Sequence, residues 1–240
     1  MKKLLFLLLG LIAITMISCK DTSGQFVANQ LTYTQMESAF SDCLSVATKY
    51  AVERLCPEDE LGYALGYGFY DYESQNYRIT LPSSARAIVD SLTAHGQAAL
   101  IDSMILHINR AAEASGGSVG SAFSSARENL SYTNHQAFVS TSNTGALTSY
   151  FKTQCGNKIK QSLLTPIQLK LNEKGATADW NNILSIYYTY TQQPVSIDLN
   201  GYITEKIVDG IFAEMAKGEK LVRTDASWQT TESLELVFGN

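Results

Sequence analysis

The chain is poor in the residues and spacings that metal, nucleophile and phosphate chemistry require. Its three histidines, His95, His107 and His135, include no pair four residues apart, and its four cysteines form no CxxC. Zinc sites are commonly assembled from such pairs, so neither a metal nor another cofactor is expected. No serine or cysteine stands in a recognisable nucleophile elbow. The glycines of Gly116–Ser121 lack the lysine that completes a phosphate loop, and no strand precedes them; a helix–helix turn is expected there. Basic residues are outnumbered 18 to 23 by acidic ones. That argues against a nucleic-acid partner, which needs a basic face. Apart from one stretch at the start, no apolar run approaches the roughly 20 residues of a membrane span.

That stretch carries the most specific message. Met1-Lys2-Lys3 is basic, Leu4 to Ile14 is apolar apart from Gly10, and Ser18-Cys19 precedes the polar Lys20-Asp21-Thr22-Ser23-Gly24. A charged start, a short apolar middle and a small-residue end make a secretory signal. Ending in Ser18-Cys19, it resembles a bacterial lipoprotein signal. The resemblance implies cleavage before Cys19, lipidation of its sulfur and attachment through two or three acyl chains, enough for stable anchoring. Residues 1–18 are then signal peptide, 19–32 a tether, and 33–240 the folded domain. Cleavage removes Lys2 and Lys3 and no acid, which takes the formal charge from −5 to −7. Lys20, where some bacteria place an acid to retain a lipoprotein in the inner membrane, points to the outer membrane. The expected location is the cell envelope, lipid-anchored, with a periplasmic or surface face.

Beyond residue 33 the apolar period is helical. Met36, Phe40, Cys43, Leu44, Ala47, Tyr50, Ala51 and Leu55 recur at three- and four-residue steps up to Pro57. A Tyr/Gly-rich loop or extended segment follows, near 57–82, and Tyr77–Leu81 offers the one strand-like run. Ser83 or Ser84 should cap the next helix, which stops near Gly96. A helix through Met104 and Ile108 should end at Gly116-Gly117. Further stripes run through Phe123, over 146–172 with Gly156 and Pro166 expected to interrupt or kink it, through Trp180 to Tyr187, from an Asp198 cap to Met215, and from Thr231 to Phe238. The fold class is all-α: one domain of about eight to ten short-to-medium helices without internal repeats. Cys43 and Cys56 are about 20 Å apart along one helix, too far to pair. Cys155 could bond either, though plain buried thiols are the favoured expectation.

His107-Ile108-Asn109-Arg110-Ala111-Ala112-Glu113-Ala114 and Tyr202-Ile203-Thr204-Glu205-Lys206-Ile207-Val208-Asp209-Gly210-Ile211-Phe212 resemble a bacterial family called domain of unknown function 4197. Arg78-Ile79-Thr80-Leu81-Pro82, Thr148-Ser149-Tyr150-Phe151, Leu163-Leu164-Thr165-Pro166-Ile167, Glu219-Lys220-Leu221-Val222-Arg223 and Val237-Phe238 match in the same order. The resemblance covers about residues 35–238. It implies a helical, secreted or lipid-anchored envelope protein, with no known activity. The chain departs from the pattern in its longer Tyr/Gly segment, at His135-Gln136 and at Gly116–Gly120.

Three groups of residues are candidates for function. Asn109, Arg110 and Glu113 share a polar helix face; they form either a carboxylate- or phosphate-binding site or a tie to a neighbouring helix, through Asp209 or Glu205. Tyr202, Lys206 and Asp209 share another face, where Gly210 marks a close helix crossing or a ligand against the backbone. Tyr63, Tyr67, Phe69, Tyr70 and Tyr72 form either a covering loop or an aromatic surface for a sugar, peptide or partner. The leading expectation is a non-enzymatic binding or scaffold module with a protein or small-molecule partner. The rivals are an enzyme using Glu113, Asp209 or His135 as acid–base groups, and a carrier of an apolar ligand.

Overall fold

A computed structural model describes residues 31–57, 67–70, 76–140 and 143–239. Cys19, Tyr63 and Tyr72 lie outside the described residues. Nine α-helices occur among the described residues: α1 (Tyr33–Leu55), α2 (Arg86–Ala94), α3 (Ala98–Glu113), α4 (Gly116–Glu128), α5 (His135–Val139), α6 (Ala146–Glu173), α7 (Ala176–Thr191), α8 (Leu199–Thr224) and α9 (Glu232–Phe238). No strand forms among them, and Tyr77–Leu81 is irregular backbone. All nine helices belong to one unit, Tyr33–Asn240. The class is all-α.

The fold is organised around α8. A helix that is buried on nearly every side lies inside a bundle rather than on its surface. Ile203, Ile207, Ile211, Met215 and Val222 are fully buried, and so are Thr204 and Glu219 on other faces. The helix begins at Asp198, whose carboxylate accepts from the Gly201 amide. It packs most extensively against α1 and next against α6. The α1 crossing needs glycine: a Cβ on Gly218 would lie 3.0 Å from the Ala47 Cα and 3.2 Å from the Tyr50 Cβ. The backbones therefore meet at Gly218, one position type that a hydrophobic pattern does not mark. A Cβ on Gly210 would instead meet the Phe69 ring at 3.0 Å and a Leu55 methyl at 3.5 Å.

Three local expectations are corrected. Neither Ser83 nor Ser84 caps a helix; Ser83–Ala85 form a 3-10 turn that runs into α2 without a side-chain cap. Gly116 and Gly117 do not end α3. It stops at Glu113, and Gly116 opens α4 after a two-residue turn. Gly116 is there for space, since its Cβ would stand 2.8 Å from the Cys56 Cβ. Pro166 and Gly156 do not interrupt α6, which runs unbroken for 28 residues. Pro166 forfeits one helical hydrogen bond, but Leu163 and Ile167 on either side are buried and hold the helix to the core.

The buried end of α8 solves a problem at the start of α6. The first amides of a helix have no partner within it. Here the Glu219 carboxylate accepts from the Leu147 amide at 3.1 Å and the Thr148 amide at 2.7 Å. Arg223, one turn on, donates from Nε to Glu219 at 2.9 Å and from Nη1 to the Ser140 carbonyl at 3.3 Å. Both charged side chains are fully buried. Breaking a buried pair on one side leaves an uncompensated charge and costs about 3–5 kcal/mol, whereas replacing both partners with apolar groups costs less. Glu219→Gln is thus expected to destabilise by about 3–5 kcal/mol, read as a lowered denaturant midpoint. A Glu219→Leu, Arg223→Met double variant should lose less than the two single variants combined.

Candidate functional site

The described backbone between α1 and α2, residues 67–70 and 76–82, brings the sequence candidates together. Extended backbone inside a helical bundle lacks a neighbouring strand, yet its polar groups still require partners. Asn109 supplies them for Ile79. Its Oδ1 accepts from the Ile79 amide at 2.8 Å, and its Nδ2 donates to the Ile79 carbonyl at 2.8 Å and to the Ile105 carbonyl at 2.7 Å. The side chain imitates one rung of a ladder, and Asn109 is fully buried.

One helical turn along, Glu113 does the same for Tyr70. Its Oε1 accepts from the Tyr70 amide at 3.0 Å, and its Oε2 accepts from Arg110 Nη1 at 2.7 Å. Arg78 donates through Nε and Nη2 to the Tyr70 carbonyl at 3.2 and 2.7 Å. The guanidinium carbons of Arg78 and Arg110 lie 4.3 and 5.5 Å from the Tyr70 ring centroid, within cation–π reach. Gly68 sits beneath this grip at φ +116°, where a side chain would be strained, and a Cβ there would stand 2.6 Å from the Glu113 carboxylate.

Asn109, Arg110 and Glu113 therefore work as a clasp. The tie to Asp209 or Glu205 does not form: Asp209 pairs with Lys152 at 2.8 Å and Glu205 with Lys160 at 2.5 Å. The aromatic residues divide. Phe69 is fully buried against Gly210, so it is core and not surface. Tyr67 is half-buried below the Arg54 guanidinium at 4.6 Å, and Tyr70 is half-buried in the clasp.

The second candidate group faces the same segment from the other side. Tyr202, Lys206 and Asp209 on α8 form one wall of a cleft of about 320 Å³, with Arg78 and Thr80 on the opposite wall. Ile79, whose backbone Asn109 holds from behind, contributes to the floor. The Lys206 ammonium is 5.5 Å from the Tyr202 ring centroid. Among the described residues no carboxylate lies within ion-pair distance of it. Tyr77, also at the rim, is held beside Glu214 and Lys217; burial first, and then Glu214, push its hydroxyl above the ordinary tyrosine value.

The acid–base set does not assemble. Glu113 is bound by Arg110 and the Tyr70 amide, Asp209 by Lys152, and His135 Nε2 by Glu37 at 2.7 Å. Gly116-Gly117-Ser118-Val119-Gly120 has the letter spacing of a nucleophile elbow, but it forms the first turns of α4 behind another helix, and an elbow needs a preceding strand. The thiols of Cys43, Cys56 and Cys155 are free and buried. Burial pushes the Cys43 and Cys56 thiols far above the ordinary cysteine value, which leaves little thiolate to react. No cluster of three potential metal ligands occurs among the described residues. A groove of about 590 Å³ between α4 and α6 is lined by Ser118, Ser125 and Lys158 together with Ile159, Leu163 and Pro166.

A family model described as "Protein of unknown function (DUF4197)" matches residues 30–239. The chain belongs to this family. Comparison with curated proteins and with solved structures finds no match to either. In this member of DUF4197 the two longest motifs lie on opposite sides of one segment: Asn109–Glu113 grips it and Tyr202–Gly210 shares a cleft with it. Sequence reasoning missed Arg78 and Tyr77 as site residues, although Arg78–Pro82 stood out as a motif. It also missed the buried Glu219–Arg223 pair, whose signal was an acid and an arginine four apart on an otherwise apolar helix face.

Asn109→Ala would leave the Ile79 amide and carbonyl without their partners. At about 1–3 kcal/mol for each buried group left unpaired, the expected loss is about 2–6 kcal/mol in denaturant unfolding. Limited proteolysis should cut first between residues 67 and 82, with the helices still resistant.

Proposed function

We propose that this DUF4197 protein is a lipid-anchored bacterial envelope protein, held to the outer membrane through Cys19, whose helical domain is a non-enzymatic binding module. The anchor rests on the Lys2-Lys3, apolar run and Ser18-Cys19 order of the leader. No helix among the described residues is long and apolar enough to cross a membrane, so in this reading attachment comes from the lipid. The binding role rests on one observation. The polar residues behind Tyr70 and Ile79 are spent on holding them, whereas Tyr202, Lys206 and Thr80 line an accessible cleft beside Ile79. Small-molecule sites are usually concave and largely pre-formed, with a few convergent polar groups. The separated ion pairs of Glu113, Asp209 and His135 favour binding over acid–base chemistry.

Metabolic labelling with a palmitate analogue checks the anchor. The wild-type chain should incorporate label and sediment with membranes, and Cys19→Ala should do neither. Equal labelling of both chains would overturn the lipid assignment. A plug tests the cleft separately. Thr80 is exposed on its wall, so Thr80→Trp should fill the opening without disturbing the core. Mass spectrometry of small molecules released from natively purified protein should show a species with wild type that is absent from Thr80→Trp. Identical released material from both would sink the cleft as the binding site.

A further inference from the structure

We infer that the cleft between the Arg78–Thr80 segment and α8 takes a compact organic anion, a carboxylate or phosphate carried on a small polar body. The inference rests on that cleft being the binding site, and it concerns the chemistry the site selects. The charges around it set the sign. Arg78 and Lys206 line the cleft, and Asp209 is its acid. Asp209 is already neutralised by Lys152 at 2.8 Å. Glu205, next to Lys206 in sequence, is taken by Lys160. At the far rim Glu214 is shared between Lys217 and Arg54. Glu113, behind the segment, is held by Arg110. The acids nearest the cleft thus each have a cation of their own, which leaves the charges of Arg78 and Lys206 uncompensated by any described carboxylate.

The donors fit an oxyanion of modest size. Arg78 spends Nε and one hydrogen of Nη2 on the Tyr70 carbonyl, which fixes its guanidinium, uses its side-on fork and leaves Nη1 and the second Nη2 hydrogen as donors for a ligand oxygen. Lys206 is a mobile point charge opposite it, a form of donor suited to phosphate and to single carboxylate oxygens. Asn76, Thr80 and the Tyr202 hydroxyl add neutral hydrogen-bonding groups along the walls. A volume of about 320 Å³ is near the lower end of small-molecule sites. It suits a metabolite-sized body and is too small for an acyl tail.

The test uses the mature lipidated chain in an uncharged detergent at low ionic strength, with isothermal titration of succinate, glycerol 3-phosphate, short-chain phosphatidylglycerol and glycerol. At least one anion should bind and glycerol should not. Lys206→Glu should weaken the anion by about tenfold or more, as expected for a reversed charge a few ångströms away, with an unchanged unfolding midpoint because Lys206 is exposed. Preference for the short-chain lipid over glycerol 3-phosphate would identify a lipid headgroup as the source, and the reverse order a soluble anion; either supports the inference. Absence of anion binding, equal binding of glycerol, or anion binding that ignores Lys206→Glu would overturn it. If glycerol binds wild type and not Thr80→Trp, the cleft stands as a binding site and the anion inference alone fails. If the released native ligand is the same with Thr80→Trp, the cleft reading itself fails.

Discussion

In a core made of helices, main-chain groups that leave a helix have no adjacent strand to bond to. They must be satisfied by side chains or remain at the surface. This protein buries them, and its buried polar residues are the consequence. Asn109 holds Ile79, Glu113 and Arg78 hold Tyr70, Glu219 holds the first amides of α6, and Arg223 holds the Ser140 carbonyl. Gln229 does the same near the C-terminus, donating to the Val222 and Phe238 carbonyls at 3.1 Å. A charged side chain is a strong ligand for a backbone group, and each buried charge here either has a counter-charge or several donors. The same dependence explains why loss of one such side chain is expected to cost more than its packing alone.

Helices were legible in the sequence wherever a single apolar stripe ran between clear boundaries. The α1 stripe from Met36 to Leu55 and the Asp198 start of α8 are examples. Glycine and proline were less legible because their effect depends on what lies opposite. Gly116 and Gly218 admit a neighbouring side chain or backbone, and Gly210 admits the Phe69 ring; only the third dimension separates that use from helix termination. Pro166 is accommodated because buried Leu163 and Ile167 outweigh one missing hydrogen bond. The site was half legible. The spacing of Asn109, Arg110 and Glu113 placed them on one face, but their partner is an irregular segment about 30 to 40 residues earlier in the chain, and spacing along a helix carries no record of that.

Rigidity and accessibility come from the two sides of the same segment. The clasp freezes the segment from behind through buried hydrogen bonds, so the cleft wall is already ordered before anything enters. Pre-ordering lowers the entropy lost on binding. On the opposite wall Gly210 keeps α8 close enough for Phe69 to pack beneath the segment, while Tyr202 and Lys206, on more exposed turns of the helix, stay outside that contact. The rigidity of the wall and the accessibility of the cleft therefore have separate structural causes, and a change to one need not disturb the other.

Net charge and local charge act at different distances. The whole chain carries a formal −5, and such a field disfavours the approach of anions from afar. Screening limits that field to about 8 Å at physiological ionic strength. Inside the cleft, Arg78 and Lys206 are the nearest charges without a described carboxylate partner. An anion held there would be selected at short range, after arrival, by contact with the fixed Arg78 and the mobile Lys206. That favours recognition of a small molecule present at high local concentration over electrostatic steering of a large acidic partner, which the net negative charge of the chain opposes.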